Sequence, residues 1–287
     1  MSNLYMRHVE VTAGDRKFSS KEFTIYFDIP FDDGPDINIA DVDIYNLSGS
    51  TIAALQKGDH VVVNAGYEGD IGAVLVGTAQ LVYTDWQGVD KTTQLTVADG
   101  HDNWMKTKIK KTYKEGITGK QILEDLIPKT GLKKGALKLP LNMKYDGAKT
   151  IDGAIGKTIV EIAKDCNAKV HVNRGKIYIR EKTEGDEIAF VLDKGHGLIG
   201  SPTPVENEEK YNVVERVKKD GKYVNEYVEK TRIRKGYKIT SLLNFNFTTD
   251  VVLKVASKTA NGLFRIEKGK HVSNGSSFYT EMEVYPR

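Results

Sequence analysis

Cysteine is nearly missing from this sequence. Cys166 is the single one among 287 residues, which excludes an internal disulfide framework and any zinc site built on several thiolates. Long hydrophobic runs are missing too. A membrane helix takes about 20 consecutive apolar residues, and the longest candidate, Gly72 to Tyr83, is interrupted by Gly77, Thr78 and Gln80. The first residues, MSNLYMRHVEV, hold no apolar stretch of the kind that opens a secretory leader, so the general secretory route is not expected. There is no low-complexity tract and no repeat of solenoid period. An overall excess of one charge is also lacking, with 42 Lys and Arg against 39 Asp and Glu. What is present is a foldable chain: 39% of residues are apolar, and 9% are aromatics spread along its length, which disfavours disorder. At about 100–200 residues per domain, the length suggests two or three domains.

The balanced charge hides a strong asymmetry. Residues 1–100 hold 6 basic and 15 acidic side chains, a net of −9, whereas residues 101–182 hold 19 and 9, a net of +10. Residues 183–287 hold 17 and 15, a net of +2. An acidic block beside a basic one points to a nucleic-acid partner or to charge-guided assembly.

The acidic block reads as β-structure. Apolar residues alternate in Phe23-Thr24-Ile25-Tyr26-Phe27-Asp28-Ile29, the mark of a strand with one buried face. After the turn FDDGPD, the apolar set passes from odd positions (Ile37, Ile39) to even ones (Val42, Ile44), which predicts a β-bulge near Ala40. Strands recur at His60 to Val63, Val74 to Val76, Gln80 to Tyr83 and Gln94 to Val97, separated by Gly/Asp turns, a spacing that suits a small barrel or sandwich. Beyond Gly100 the period changes. Thr118 to Gln121 forms a capping box ahead of the stripe Ile122, Leu123, Leu126 and Ile127; Thr158 to Glu161 reads as a second, ahead of Ile159, Ile162, Ala163 and Cys166. Asn173-Arg174-Gly175 lies between two short strands as a hairpin turn, and Lys219-Asp220-Gly221 repeats that signal among the strands of the last third. The boundaries fall near residue 100 and in the Gly- and Pro-rich stretch Gly195 to Pro204. The expected class is α+β, mainly β, with an α/β module between two all-β regions.

Motifs for chemistry are few. Gly156-Lys157-Thr158 resembles the end of a phosphate-binding loop, but that loop needs a glycine where Ile151 stands, so the approach to a capped helix is the better reading. Cys166 with His171 as its base is the one nucleophile pair on offer. The thiol completes an apolar helical stripe and the histidine falls on the polar side of a strand, which favours a buried, inert cysteine. The histidines are scattered, and His101-Asp102 reads as a polar turn. Asp32, Asp33 and Asp36 cluster, yet a calcium loop would need ligands at Ile29 and Phe31, so a solvated turn is expected. The segment Trp104 to Lys114 interleaves Lys106, Lys108, Lys110, Lys111 and Lys114 with Trp104 and Tyr113. Three readings stand side by side: lysines keeping a strand edge soluble, docking on an acidic protein surface, or gripping a nucleic-acid backbone with the aromatics stacking on bases. No catalytic, cofactor-binding or metal site is assigned.

Several long phrases carry a resemblance. TIYFDIPFDDGPDINIADVDIYNLS (Thr24 to Ser48) and LQKGDHVVVNAGYEGDIGAVLVGTAQ (Leu55 to Gln80) resemble the first barrel of the baseplate hub proteins of contractile phage tails and tail-derived bacteriocins, similar to late control protein D and the T-even hub. TIVEIAKDCNAKVHVNRGKIYIREK (Thr158 to Lys182) resembles their middle domain. GLIGSPTPVENEEKYNVVERV (Gly197 to Val217) and GLFRIEKGKHVSNGSSFYTEMEVY (Gly262 to Tyr285) resemble the entry and closing strands of their second barrel.

The resemblance implies a first tube-like β-barrel over residues 1–100, an α/β middle module over 101–195 and a second tube-like barrel over 196–287. It implies a homotrimer whose two barrels per subunit make a pseudo-sixfold ring, joining the sixfold tail tube to the threefold central spike and continuing the tail channel. The partners it implies are other copies of the chain, the tube protein, the spike protein and the tape measure protein. It implies no membrane, no cofactor and no specific nucleic acid, beyond DNA passing through the channel of a phage. Assembly would take place in the bacterial host cytoplasm, and the destination would be the baseplate of a virion or tail-like particle. Some hub relatives carry a fused domain that cuts peptidoglycan; with Tyr285-Pro286-Arg287 closing the sequence, none is expected here. Asp41 and Asp43, on one side of a strand, would either line the channel and repel DNA or meet the basic middle block of a neighbouring copy, with Lys108, Lys110 and Lys111 as the opposing surface. The alternatives are a nucleic-acid-binding protein using the basic module and a hydrolase with a dispersed acid pair.

Overall fold

The computed structural model describes residues 6–100, 103–181, 184–185, 189–219 and 222–287, with 209–229 described as backbone. His101-Asp102 and the Asp220-Gly221 turn lie outside the described residues. The chain is mostly strand. The first region holds β1 (Arg7–Ala13), β2 (Arg16–Ser19), β3 (Ile25–Phe31), β4 (Ile39–Tyr45), a short α1 (Gly49–Ala54), β5 (His60–Tyr67), β6 (Asp70–Gln87) and β7 (Asp90–Asp99). The middle holds α2 (Asn103–Lys106), β8 (Lys108–Tyr113), α3 (Gly119–Leu126), β9 (Lys133–Leu137), β10 (Lys149–Ala154), α4 (Ile155–Asp165), β11 (Lys169–Asn173) and β12 (Lys176–Arg180). The last region holds β13 (Ala189–Leu192), β14 (Leu198–Lys219), β15 (Lys222–Leu242), β16 (Val252–Ala256), β17 (Asn261–Asn274) and β18 (Ser277–Pro286).

The period-two pattern does what it predicts. In β3, Ile25, Phe27, Ile29 and Phe31 all turn inward, and Val9, Val11 and Ala13 do so in β1. The bulge expected near Ala40 is absent: β4 pairs with β7 without a break from Ile39↔Ala98 to Tyr45↔Thr92. The apolar phase changes because Ile37 lies outside the strand and packs on the middle core, while Ile39 is left 46% exposed. The strand's own inward set is Ala40, Val42 and Ile44, in one phase throughout.

Two separate β-regions were expected, but the strands join into one thirteen-stranded sheet. Its main path runs β14-β15-β18-β17-β3-β4-β7-β6-β5-β1-β2, with β16 on β17 and β13 on β16. The join is β17. Its first half pairs with β16, and its second half, from Gly269 to Ser273, pairs with β3. A register shift between Ile266 and Lys268, where β17 runs beside β18, separates the two halves. No pairing among the described residues closes the sheet by joining β2 to β14.

Apolar side chains gather in three clusters. One is built from β1 to β7 with Leu243 and Phe278, one from the helices and hairpin of the middle region, and one from β13 and β15 to β18 with Phe31, Phe247 and Val251. The loop after β15 links them: Leu243 is buried in the first cluster and Phe247 in the third. Phe245 lies so close to Gly72 that a Cβ there would sit 2.3 Å from its ring, so the position needs glycine.

The first capping box forms as predicted. Thr118 Oγ1 accepts from the Gln121 amide at 3.4 Å, and Gln121 Oε1 accepts from the Thr118 amide at 3.0 Å. The second does not. α4 begins four residues earlier than the box requires, with Ala154 as its cap and no side-chain capping bond. Thr158 lies inside the helix, its hydroxyl donating to the Ala154 carbonyl at 3.1 Å. The phosphate-loop lookalike is therefore the first turn of α4 itself, and a Cβ on Gly156 would stand 2.9 Å from the Trp104 carbonyl. The Arg174-Gly175 hairpin is as read: Asn173 pairs with Lys176, and both turn residues have positive φ, 49° and 69°, the requirement of a type I′ turn.

Candidate assembly surfaces and a buried charge joint

The densest set of charged side chains lies inside the molecule. Asp250, 0% exposed and held at φ 72°, stands where the middle hairpin meets the last region. Its Oδ1 accepts from Lys169 Nζ at 3.0 Å and from the Arg265 guanidinium; its Oδ2 accepts from Arg180 Nε at 2.8 Å. Asp33, from the loop after β3, accepts from the same Lys169 at 2.9 Å and the same Arg265 at 3.1 Å. Glu267 extends the chain of charges, taking Arg265 at 2.8 Å and both terminal nitrogens of Arg234 at 3.1 and 2.7 Å. Lys169 and Arg180 come from the ends of β11 and β12, Arg265 and Glu267 from β17, and Asp33 from the first region. One network thus ties all three clusters together.

The electrostatics follow from packing. Burial alone would raise the Asp250 carboxyl, yet the surrounding cations, Lys169, Arg180 and Arg265 among them, hold it below its ordinary value. Asp33 is held down against burial by Lys169 and Arg265 in the same way. His171 Nε2 lies 3.5 Å from Asp250 Oδ2. Burial, aided by Lys169 and Arg180 and opposed by Asp250, pushes the imidazole down to about 4. His171 is therefore neutral at pH 7, and the carboxylate is held there by the lysine and the two guanidinia. The ring stacks on Tyr178 at 4.8 Å. The polar side of the strand on which the sequence places His171 is thus buried, leaving the residue 1% exposed. The solvated turn expected at Asp32 to Asp36 is overturned for Asp33, which the joint takes up.

A second buried contact braces the same junction. The Gly175 amide donates to Asp99 Oδ1 at 3.3 Å, and Arg174 Nη2 donates to the Phe245 carbonyl at 2.5 Å. Burial pushes the Asp99 carboxyl up to about 7 despite the amides of Arg174 and Gly175, and burial lowers Arg174 to about 10. Lys169, Asp250, Arg265 and Asp99 belong to no motif in the sequence. Asp33, Lys169, Asp250 and Arg265 are far apart in it, and no spacing marks them as partners.

The two charged sets expected to line a channel or a subunit interface lie on the outside. Asp41 and Asp43 share the outer face of β4, Asp41 exposed and Asp43 half-buried. Asp41 accepts from the Thr96 hydroxyl at 2.9 Å. Burial, with Asp41 adding to it, raises the Asp43 carboxyl, and a hydrogen bond from Gln94 opposes the shift. Directly across the register, Leu81 faces Thr96 and Tyr83 faces Gln94, and these two apolar side chains are 53% and 55% exposed. The structure thus places an exposed leucine and tyrosine in the same two rows as the acidic pair, on the far side of β7, a combination the sequence reading missed.

Lys108, Lys110 and Lys111 are exposed on β8, which pairs with β10. Lys110 meets Asp152 at 3.0 Å and Lys111 meets Asp125 at 2.8 Å. Trp104 and Tyr113, the aromatics that a nucleic-acid reading would stack on bases, are both buried in the middle core. Tyr113 also donates its hydroxyl to Asp125 at 2.6 Å. Cys166 is buried at the end of α4, and burial raises its thiol pKa, the opposite of what a nucleophile needs. Among the described residues no group of three or more His, Cys, Asp or Glu side chains is arranged to hold a metal ion, and no helix is long and apolar enough to cross a membrane.

No protein-family model matches the chain, and no curated protein matches it in sequence. Solved structures do match. The 43 kDa tail protein of prophage MuSo2 from Shewanella oneidensis is similar at a TM-score of 0.66 with 9% identity, over 98% of this chain and 98% of its own. A tail protein from Neisseria meningitidis is similar at 0.66 with 10% identity, over 98% and 97%. An E. coli protein described as a component of the type VI secretion system, with structural similarity to tail proteins of bacteriophage T4, is similar at 0.58 with 9% identity, over 96% and 76%. The likeness is one of fold, and it takes in nearly the whole of this chain. The structural neighbours are phage tail and tail-like proteins, as the phrases in the sequence led one to expect.

Proposed function

We propose that the protein is a structural subunit of a phage tail or tail-like particle, a baseplate hub whose product is assembly geometry rather than chemical turnover. The observation that carries this reading is the fold shared with tail proteins of S. oneidensis and N. meningitidis along almost the full length of each chain. In this reading the first and third clusters are the cores of two tube-like units, and the middle cluster is the core of an inserted module, with boundaries near residues 100 and 195. Copies of the chain associate as a homotrimer, present a pseudo-sixfold ring to the tail tube and a threefold one to the central spike, and keep a channel open between them. The tape measure protein is a further partner. The site of action is the baseplate, reached by assembly in the host cytoplasm.

Two observations support a structural rather than a catalytic role. The strongest charge network ties parts of the fold together inside the molecule, and the one thiol is buried with a raised pKa. Asp41 and Asp43 belong in this proposal to a contact between subunits rather than to the channel, because exposed Leu81 and Tyr83 share their two rows across β7. Exposed apolar side chains grouped with charge are a feature of protein contacts. Lys108, Lys110 and Lys111 offer a basic contact surface of the same kind.

The test is solution mass, measured for the chain alone and with the central spike protein of the same particle. A trimer, alone or with the spike, is the expected result. A monomer in both conditions sinks the hub reading, and peptidoglycan cleavage abolished by a single carboxylate substitution sinks the non-enzymatic one.

A further inference from the structure

The hairpin between β6 and β7 ends in an apolar knob. Gln87 pairs with Asp90, and Gly88, at φ 68°, supplies the positive φ that a two-residue hairpin turn asks of its first position. The second position is Val89, 95% exposed, and Trp86 beside the turn is 66% exposed, with Lys91 Nζ 4.9 Å from its ring. Turns select Gly, Asn, Asp, Pro and Ser for their backbones. A valine and a tryptophan at this place serve no such need, and neither belongs to a core cluster among the described residues. Acidic side chains frame the knob. Asp85 accepts from the Trp86 amide at 2.8 Å and Asp90 from the Asn46 side chain at 3.2 Å, neutral donors that cancel neither charge.

A groove of matching character opens on the middle region. Gly156, with no side chain, lets the first turn of α4 rest on Trp104, and Ile37 approaches from the loop ahead of β4. Between them lies a cavity of about 410 Å³, floored by Ile37, Trp104 and Val160. Sites for small ligands run ~300–1,000 Å³, but they also aim polar groups at what they hold. Here the charged side chains, Asp36, Lys157 and Glu161, are exposed at the rim, and the floor is made of apolar side chains. Such a groove suits an apolar side chain flanked by charge. The knob does not reach the groove of its own chain. β7 starts beside the knob at Asp90 and ends at Asp99, just ahead of α2 with its Trp104, and its ten residues at ~3.3 Å each set the two about 30 Å apart. Charge favours a second copy as the occupant. The knob belongs to the region of net −9, and α2 and α4 to the region of net +10.

We propose that Trp86 and Val89, at the β6–β7 turn of one copy, seat in the groove between Ile37, Trp104 and Val160 of a second copy. The contact is head-to-tail, of the kind that repeats until a ring closes or runs on as a filament. The inference rests on the reading of the chain as an assembling subunit, and names the residues through which copies meet. A tryptophan seated in a desolvated pocket is the usual anchor of a protein contact, and Asp85 and Asp90, facing Lys157 at the rim, orient it.

Complementation between two variants tests it. Light scattering is run under the condition in which the native chain assembles, alone or with the central spike protein. Val89→Asp on the knob and Val160→Asp in the groove are each expected to weaken self-association at least ~10-fold, as the loss of an interface anchor does. Mixed together, each variant still offers the surface the other lacks, so the mixture is expected to form pairs of copies that neither forms alone, a result misfolding does not produce. Cross-linking checks the same contact without touching the groove floor. A Val89→Cys chain and a differently tagged Lys157→Cys chain are expected to be joined by a short bismaleimide, and Val89→Cys with Lys57→Cys is expected to give no product; Cys166 is buried and adds little background. Trp86 and Trp104 are the only tryptophans, so emission of the native chain is also expected to move to the red on dilution as Trp86 returns to water. Native assembly that ignores Val89→Asp, or a knob and groove that do not cross-link, overturns this contact and leaves the subunit reading standing. A native chain that stays monomeric alone and with the spike protein overturns both.

Discussion

Two sets of lysines and arginines in this protein look alike in the sequence and do different work. Lys169, Arg180 and Arg265 surround Asp250 inside the molecule, while Lys108, Lys110 and Lys111 line an exposed strand. The exposed set has the higher local density, and it is the set that stands out on reading. Yet Lys110 and Asp152 meet with side chains 81% and 62% exposed, where water and salt reduce an ion pair to about 0–1 kcal/mol. Asp250 is fully buried, so a lost partner leaves its charge uncompensated and each group depends on the others. Charge density along the chain therefore says where a molecule meets its surroundings, and burial decides where charge holds the molecule together.

The sharpest way to break that contrast is to remove the centre of the joint. Asp250→Ala leaves Lys169, Arg180 and Arg265 without their shared carboxylate and is expected to cost about 3–5 kcal/mol, as the loss of one member of a buried ionic group does; urea unfolding measures it. A loss below about 1 kcal/mol, within the range of an exposed pair, would place the joint in the same class as the β8 surface.

The next effect is a dependence on pH with two opposing parts. His171 is lowered to about 4 by burial, so its contribution is present above its ordinary value near 6.5 and is lost as pH falls toward 4. Asp99 is raised to about 7 by burial, so its contribution is present below its ordinary value near 3.8 and is lost as pH rises through 7. In Asp99→Asn the decline between pH 4 and 7 is expected to vanish while the acid-side loss from His171 remains. Urea midpoints at pH 5 and pH 8 check it, and an Asn variant with the native difference between the two would refute the assignment. The smallest effects belong to the exposed strand. Lys110→Ala and Lys111→Ala are each expected to change stability by about 0–1 kcal/mol, less at high salt, in the same unfolding assay.

The sequence disclosed most where one physical rule acts locally. Strand alternation in β3, the capping box at Thr118 and the Arg174-Gly175 turn each depend on a few neighbouring residues, and each forms as expected. It misled where a local pattern met a distant partner. Thr158 has the spacing of a cap, but Gly156 packs on Trp104 and lets the helix begin earlier. His171 has the phase of a polar face, but that face is covered by Asp250, which approaches from the last region of the chain. The phase change at Ile37 and Ile39 arises because one side chain serves a different core, not because the strand bulges. The buried joint was illegible for the same reason. Asp33 and Arg265 are separated by most of the chain, and nothing short of the fold makes them neighbours.

The strand β17 has a mechanical meaning. It runs unbroken from Asn261 to Asn274, hydrogen-bonded to β16 at one end and β3 at the other, with β18 along its length. A pull along its axis loads many of those bonds at once, in shear, whereas a pull across it would open them one after another like a zip. The first and third cores are therefore coupled by a stiff tie rather than a hinge, and a twist applied to one is delivered to the other with little lost in between.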